Sequence, residues 1–267
     1  MYNTIYFIDE TNVILDEIRN FIKKKMKALI FAAGLGTRLK PYTDDKPKAL
    51  VQINGIPLSQ LAIEKLYNDG FDEIVVNVHA FGQQIIDFVQ NHSFNAKIYI
   101  SDERNELLDT GGGLVKALPF FDDAEPFLVY NVDIITTADL RAFYLQHMKN
   151  NSLVSMMVRK RETSRYLLFD SNMSLVGWRN NANGEEIWVN NPKTDVDAYA
   201  FSGIHVVDPK IAKYAIDKRG PFSIIPFYLE TAKHECFKGV LDSNSIWFDV
   251  GKEAQLKEAA LFLSANE

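Results

Sequence analysis

The chain predicts a three-layer α/β sandwich around a mostly parallel central sheet, and three observations support it. Short apolar runs alternate with longer segments whose apolar residues recur at helical spacing, and glycine or polar turns mark each change of period. The links between them are short, so successive units pack side by side in one sheet. At 267 residues and 47% hydrophobic, the chain can bury the core of one large domain.

Residues 1–25 stand apart as an N-terminal extension, read as an accessory strand and helix. Ile5 to Ile8 is apolar, Val13, Ile14, Ile18, Phe21 and Ile22 recur at helical spacing, and Lys23 to Lys25 suit a helix C-terminus. The positive charges follow the apolar part, the reverse of a signal peptide. The domain proper is expected over residues 26–267. Ala28 to Ala32 reads as a fully apolar strand, followed by a glycine-rich turn, and Leu58 to Asp69 as a helix stopped by Gly70. Glu73 to Val78 is the next strand, Phe81 to Gln90 a helix, Lys97 to Ser101 a strand, and Gly111 to Leu118 a helix begun by glycines. Pro126 to Asn131 is the central strand, and Leu140 to Lys149 with Leu153 to Val158 forms a further helix and strand.

The second half is less regular. Tyr166 to Phe169 and Leu175 to Trp178 predict a hairpin, Ile187 to Val189 a short strand, and Tyr199 to Val207 a strand returning to the main sheet. Pro221 to His234 reads as a helical segment broken by Pro226, and Ile246 to Val250 leads into a last helix, Glu253 to Phe262. No internal repeat or long linker divides the chain.

Composition narrows the function classes. Cys236 is the only cysteine, so no disulfide scaffold forms and the usage suits a reducing cytoplasm. No apolar stretch approaches the roughly 18 residues of a membrane span. A formal net charge of -6 provides no global attraction for a nucleic-acid backbone. A local cluster of amides and cations can still hold a small anion.

Such a cluster follows the first strand. Ala32-Ala33-Gly34-Leu35-Gly36-Thr37-Arg38-Leu39 leaves it directly, with Pro41-Tyr42-Thr43 and Lys46-Pro47-Lys48 close behind. Consecutive N–H groups in a glycine-rich turn form a nest for phosphate, and Arg38 and Lys48 supply the charge the amides lack. No Gly-Lys-Ser/Thr closes the loop, and its spacing differs from a dinucleotide fingerprint. The five histidines lack the spacing of a zinc site. His79 is placed at the cleft, and the other four at the surface or in local hydrogen bonds.

The run A-A-G-L-G-T-R-L, the P-Y-T and K-P-K elements, and P-K-A-L-V-Q-I-N-G-I-P ending at Pro57 resemble the signature of the sugar-1-phosphate nucleotidyltransferases. The resemblance continues through Val78-His79-Ala80-Phe81-Gly82-Gln83-Gln84, Leu108-Asp109-Thr110-Gly111-Gly112-Gly113 and Trp247-Phe248-Asp249-Val250-Gly251, covering Lys27 to about Ala260. Within the family these elements look like the branch of N-acetylmuramate 1-phosphate uridylyltransferase and its mannose- and heptose-1-phosphate guanylyltransferase relatives. The resemblance implies a Rossmann-like, GT-A-like nucleotidyltransferase fold. It implies transfer of a nucleoside monophosphate, from UTP by preference, to N-acetylmuramate 1-phosphate or a related hexose phosphate, with pyrophosphate released. That would serve nucleotide-sugar biosynthesis and cell wall recycling.

The same resemblance implies the site. Mg²⁺ would be held by Asp133 and Asp249, with Arg38, Lys48 and Asp133 catalytic. Ala33, Gly34, Gly36, Thr37, Gln83, Gly111 and Gly112 would hold the nucleotide, and Asn190 and Gly203 the sugar. Partners are then a nucleoside triphosphate and a sugar 1-phosphate, with no nucleic acid and no membrane. Two departures stand out. Val132 precedes Asp133 where the family has glycine, and Leu167 follows Tyr166 where the family often has glycine. Val132 and the extension motivate a contrasting expectation, a catalytically inactive sugar-nucleotide-binding regulatory protein. Arg159, Lys160, Arg161 and Arg165 form a basic patch read as a solvated face, though it is close enough in sequence to the sugar segment to contact an acidic sugar.

Overall fold

A computed structural model of the chain describes residues 25–192 and 194–265. The strand and helix expected within residues 1–25 lie outside these residues, apart from Lys25, whose ammonium pairs with Glu73. The first strand, β1 (Met26–Phe31), alternates strictly: Ala28 and Ile30 enter one core cluster and Leu29 the other. A small hairpin follows, β2 (Gln52–Ile53) and β3 (Ile56–Pro57). Asn54 and Gly55 at its tip both have positive φ, which a tight two-residue hairpin requires.

The chain then alternates as anticipated through α1 (Leu58–Asn68), β4 (Phe71–Val78), α2 (Gly82–Asn91), β5 (Lys97–Asp102), α3 (Asp109–Ala117) and β6 (Phe127–Asn131). Gly70, at φ 95°, ends α1 by donating its N–H to the Tyr67 carbonyl. The four strands run parallel in the order β5-β4-β1-β6. Connections leave β1 toward β4 on one side, while β6 joins from the other. The carboxyl ends of β1 and β6 therefore flank a topological switch point, where open α/β sheets bind ligands.

The second half wraps and extends this sheet. It contains β7 (Ile134–Thr136), α4 (Leu140–Lys149), β8 (Val154–Arg159), β9 (Arg165–Phe169), β10 (Leu175–Asn180), β11 (Glu185–Trp188) and β12 (Asp197–Val207). After these come α5 (Ala212–Ala215), α6 (Ile224–Thr231), β13 (Phe237–Leu241), β14 (Trp247–Asp249) and α7 (Glu253–Ser264). β12 lies antiparallel to β6 over Ile204–Val207, to β8 on its other edge, and through Asp197–Tyr199 to β9. Its register breaks between Phe201 and His205, and Gly203 at φ 75° makes the bend. The result is a mixed ten-stranded sheet. One core cluster joins its first face to α1, α2, α4 and α7, and a second joins the opposite face to α3 and α6.

Several expectations need adjustment. Pro226 does not break its helix: α6 starts at Ile224, so the proline falls in the first turn, where N–H groups have no intrahelical acceptor to lose. The strands β7 and β13 were not anticipated. β7 is three residues long, and Lys238 and Gly239 interrupt the apolar run of β13. His205 is fully buried, with neither ring nitrogen hydrogen-bonded, instead of sitting at the surface or in a local hydrogen bond.

Candidate functional site

After β1 the chain turns through Ala32 to Gly36 into a short 3₁₀ helix, Thr37–Leu39. Asn77, buried near the end of β4, fixes the start of that turn. Its Oδ1 accepts the N–H groups of Ala32 at 2.6 Å and Ala33 at 3.1 Å, and its Nδ2 donates to Glu103 Oε1 at 2.8 Å. Glu103 is itself fully buried, and burial holds its carboxyl above the usual carboxylate range, against the opposing hydrogen bond from Asn77. The first two amides of the loop are thus engaged inward, while Gly34 and Leu35 lie exposed beyond them.

Gly36 lets the loop close. Its φ is 64°, and a Cβ there would fall 2.9 Å from Thr43 Cγ2 and 3.0 Å from Lys48 Cβ. Thr43 Oγ1 locks the arrangement by donating to the Gly36 carbonyl at 2.9 Å. Thr37 and Arg38 follow at the surface, whereas Lys48 is buried behind the turn.

Opposite this loop, β6 ends at Asn131 and leads through Val132 to Asp133. Val132 is absent from the positive-φ residues, its N–H donates to the Phe31 carbonyl at 3.2 Å, and its side chain packs in the core. The position accommodates a side chain by turning it inward. The Lys48 ammonium hydrogen-bonds Asp133 Oδ2. Antiparallel pairing of β7 with β14 sets Asp249 opposite Ile134, and the Val250 N–H donates to the Asp133 carbonyl at 2.9 Å. That short ladder brings two aspartates, 116 positions apart in sequence, to the same point.

The Asp249 carboxyl is pushed up, chiefly by burial and next by the Asp133 charge, with Lys48 and Arg38 pulling it down. Two hard oxygen donors held together in a partly buried place fit Mg²⁺, which commonly takes one or two carboxylates and completes its shell with phosphate oxygens and water. Among the described residues no cluster of three or more His, Cys, Asp and Glu side chains could hold a metal.

Three cavities mark the surroundings. An apolar one of about 160 Å³ is walled by Phe31, Ala33, Gly34, Asp109 and Thr110. A neighbour of about 170 Å³ shares Phe31, Gly34 and Thr110 with it and adds Lys48, Asn131 and Asp133. The largest, about 540 Å³, has Arg38, Arg161, Trp247, Asp249 and Lys252 on its walls. The β7–β14 ladder connects the last two, pairing Asp249 with Ile134 and the Val250 N–H with the Asp133 carbonyl.

The candidate residues divide accordingly. Ala33, Gly34, Gly36, Lys48, Asp133, Asp249 and Arg38 come together, and Gly203 lies behind them, its place for a Cβ only 2.8 Å from Asn131 Nδ2. Gln83 does not line the cavities: its Nε2 donates to Asp87 at 2.8 Å and its Oε1 accepts from Arg104 at 2.6 Å on the outer surface. Gly111 and Gly112 are buried under the segment 220–222, where a Cβ would come within 2.4 Å of the Phe222 ring and 2.8 Å of the Gly220 carbonyl. Asp109 and Thr110 face the apolar cavity instead, and Asp109 takes a left-handed backbone at φ 56°. Asn190 is exposed just past β11, and His79 binds the Glu103 carbonyl through Nδ1 at 2.8 Å. Asn77, Glu103 and Asp109 were missed. A polar residue inside the apolar run of β4 was the available signal for Asn77.

The comparisons with known proteins follow the same outline. The nucleotidyl transferase family model matches residues 27–266. The chain is 29% identical over 247 residues to the N-acetylmuramate alpha-1-phosphate uridylyltransferase of Caulobacter vibrioides, covering 87% of this chain and 94% of that one. It is 30% identical over 248 residues to the protein of the same name from Neisseria meningitidis serogroup B, covering 90% and 99%. Among solved structures, HddC from Yersinia pseudotuberculosis, complexed with GMP-PN, superposes with a TM-score of 0.69 at 24% identity, covering 89% and 99%. That last likeness speaks for the fold. No helix among the described residues is long and apolar enough to cross a membrane.

Proposed function

The chain belongs to the nucleotidyl transferase family, and on that premise we propose that it is a sugar-1-phosphate nucleotidyltransferase acting on UTP and N-acetylmuramate 1-phosphate. The observation that carries the reading is the meeting of Lys48, Asp133 and Asp249 beside the glycine loop at the switch point. Support for the substrate pair comes from two relatives of that activity aligned along nearly their whole length.

In this reaction an oxygen of the sugar phosphate attacks the α-phosphorus, a new P–O bond forms, and the α–β bridging bond breaks. Pyrophosphate leaves with the electron pair. No side-chain nucleophile is required, so positioning and charge stabilisation carry the rate. The apolar cavity beside Ala33 and Gly34 receives the base, with Thr110 and Asp109 at its edge. The exposed amides past Ala33 and the Arg38 guanidinium hold the phosphates that depart. Lys48, already beside Asp133, places a buried positive charge where negative charge builds up on the transferring group. Asp133 and Asp249 would hold Mg²⁺, which when bound supplies Lewis-acid stabilisation of the α-phosphate oxygens.

The test is pyrophosphate release, with product mass, for UTP, GTP, CTP, ATP and dTTP against a panel of sugar 1-phosphates, with and without Mg²⁺. Preference for UTP with N-acetylmuramate 1-phosphate is the expected result. Preference for GTP with mannose or heptose 1-phosphate would move the chain to the guanylyltransferase branch. Nucleotide binding with no product from any pair would instead indicate a regulatory protein.

A further inference from the structure

Two arginines lie against Trp247, which lines the cavity of about 540 Å³, and only one of them is held by a carboxylate. Arg159 sits 5.1 Å from the Trp247 ring and donates from Nη2 to Asp242 at 2.7 Å and to the Ser245 carbonyl at 3.1 Å. It is a clamp between β8 and the loop before β14. Arg161 sits 4.8 Å from the same ring, but among the described residues it has no carboxylate within ion-pair distance. Its hydrogen bonds, to the carbonyls of Glu162 and Phe201, are both 3.4 Å long, and its buried Nε has no acceptor. Burial lowers the guanidinium's affinity for its proton, and Asp249 opposes that effect from nearby.

A half-buried guanidinium has lost much of its hydration, and five N–H donors in a planar fork suit a carboxylate or phosphate. The cavity it faces, about 540 Å³, falls within the roughly 300–1,000 Å³ range of small-molecule sites. Asp249 is on the wall of that cavity and at the reacting centre at once. Lys48 and the base compartment open on the other two cavities, and Arg38 gives its part of this wall to the departing phosphates, so the stretch beside Arg161 is left to the acceptor.

We propose that Arg161 binds an oxyanion of the acceptor sugar and sets acceptor specificity, an inference that rests on the transferase reading above. Two oxyanions fit its chemistry, the 1-phosphate itself and a carboxylate substituent on the ring. The test uses the full chain with Arg161→Gln, Arg161→Lys and, as a control for net charge, the exposed neighbour Lys160→Gln. KM is measured for UTP and for two acceptors of the same ring, N-acetylmuramate 1-phosphate and N-acetylglucosamine 1-phosphate, which lacks the carboxylate.

Arg161→Gln is expected to raise acceptor KM by roughly tenfold to a hundredfold, the loss of a charge-assisted hydrogen bond, with UTP KM unchanged. Arg161→Lys should fall between, and Lys160→Gln should match the wild type. A rise for both acceptors identifies the phosphate as the ligand, and a rise for the acidic one alone identifies the carboxylate. Unchanged acceptor KM, or a rise in UTP KM in its place, overturns the proposal. Wild-type chain that turns over no pair would count against the transferase reading. The anion site is then read separately, by titrating inorganic phosphate and following the thermal midpoint. Stabilisation of the wild type beyond Arg161→Gln retains the site, and equal stabilisation removes it. Should the Gln variant fold poorly, Arg161→Lys serves in both arms.

Discussion

Asp133 and Asn77 show two ways in which one side chain supports the site. Asp133 stands where Lys48, Asp249 and the end of β6 converge, and its carboxylate is partly open to the cavity. Asp133→Asn keeps shape and hydrogen-bonding capacity while removing the charge. Turnover should fall about a hundredfold or more, a loss of the size seen when a transition-state electrostatic contact is removed, with little change in thermal midpoint. Turnover within twofold of wild type would reject the role. Asn77 acts one step back from the ligand, since it holds the loop amides and Glu103 together in the core. Asn77→Ala leaves two N–H groups and a carboxyl without their partner, which costs about 1–3 kcal/mol per group at the outset. The expected outcome is a lower denaturation midpoint together with a raised UTP KM. A lower midpoint with UTP KM unchanged would confine Asn77 to stability.

At the scale of elements, the glycine run that opens α3 packs closely against the 220–222 segment. Gly111 abuts Phe222 and its N–H donates to the Phe222 carbonyl at 2.8 Å, so α3 approaches the 220–222 segment with no room for a methyl group. Gly111→Ala should therefore destabilise by about 1–3 kcal/mol through overpacking, lowering the thermal midpoint by several degrees while UTP KM stays within twofold. An unchanged midpoint with a raised KM would put the glycine at the nucleotide. The contrast shows where sequence reading succeeds. The strands β1, β4 and β6 are apolar runs bounded by turns, and the loop after β1 carries its own chemistry, so the parallel half and the candidate phosphate loop could be read directly. The ladder that brings Asp249 to Asp133 could not, because β7 and β14 are three residues each and too short for a period. Resemblance to the family supplied that pair. Around Gln83, Gly111 and Gly112 it indicated a neighbourhood, and there the structure shows contacts with Arg104, Phe222 and Gly220.

For the whole molecule, the same sheet that carries the site also buries two histidines, and this makes the fold sensitive to acid. His147, on α4, meets Ser155 of β8 at 2.9 Å, and burial pulls its pKa down to about 4. His205, on β12, packs edge-on to Tyr228, and burial takes it to about 3. Both folded-state values lie below the unfolded value near 6.5. As pH falls below about 6.5, the unfolded chain binds protons that the folded chain declines, so the folded state loses stability progressively down to those lower values. Fully titrated, His147 alone is worth about 3 kcal/mol, the product of its shift and 1.36 kcal/mol per pH decade. Glu103 acts with the opposite sign. Its raised carboxyl favours the folded state while protonated, a contribution lost as pH rises through the raised folded value, so it offsets part of the histidine effect. Two histidines act against this one carboxyl, and the denaturant midpoint should fall as pH drops below about 6.5. His147→Asn keeps a polar group near Ser155 without a titrating ring, so its midpoint should fall with a visibly shallower slope. An identical slope in the variant would show that His147 already carries its proton in the folded chain or is hydrated there, and that the acid sensitivity originates elsewhere in the sheet.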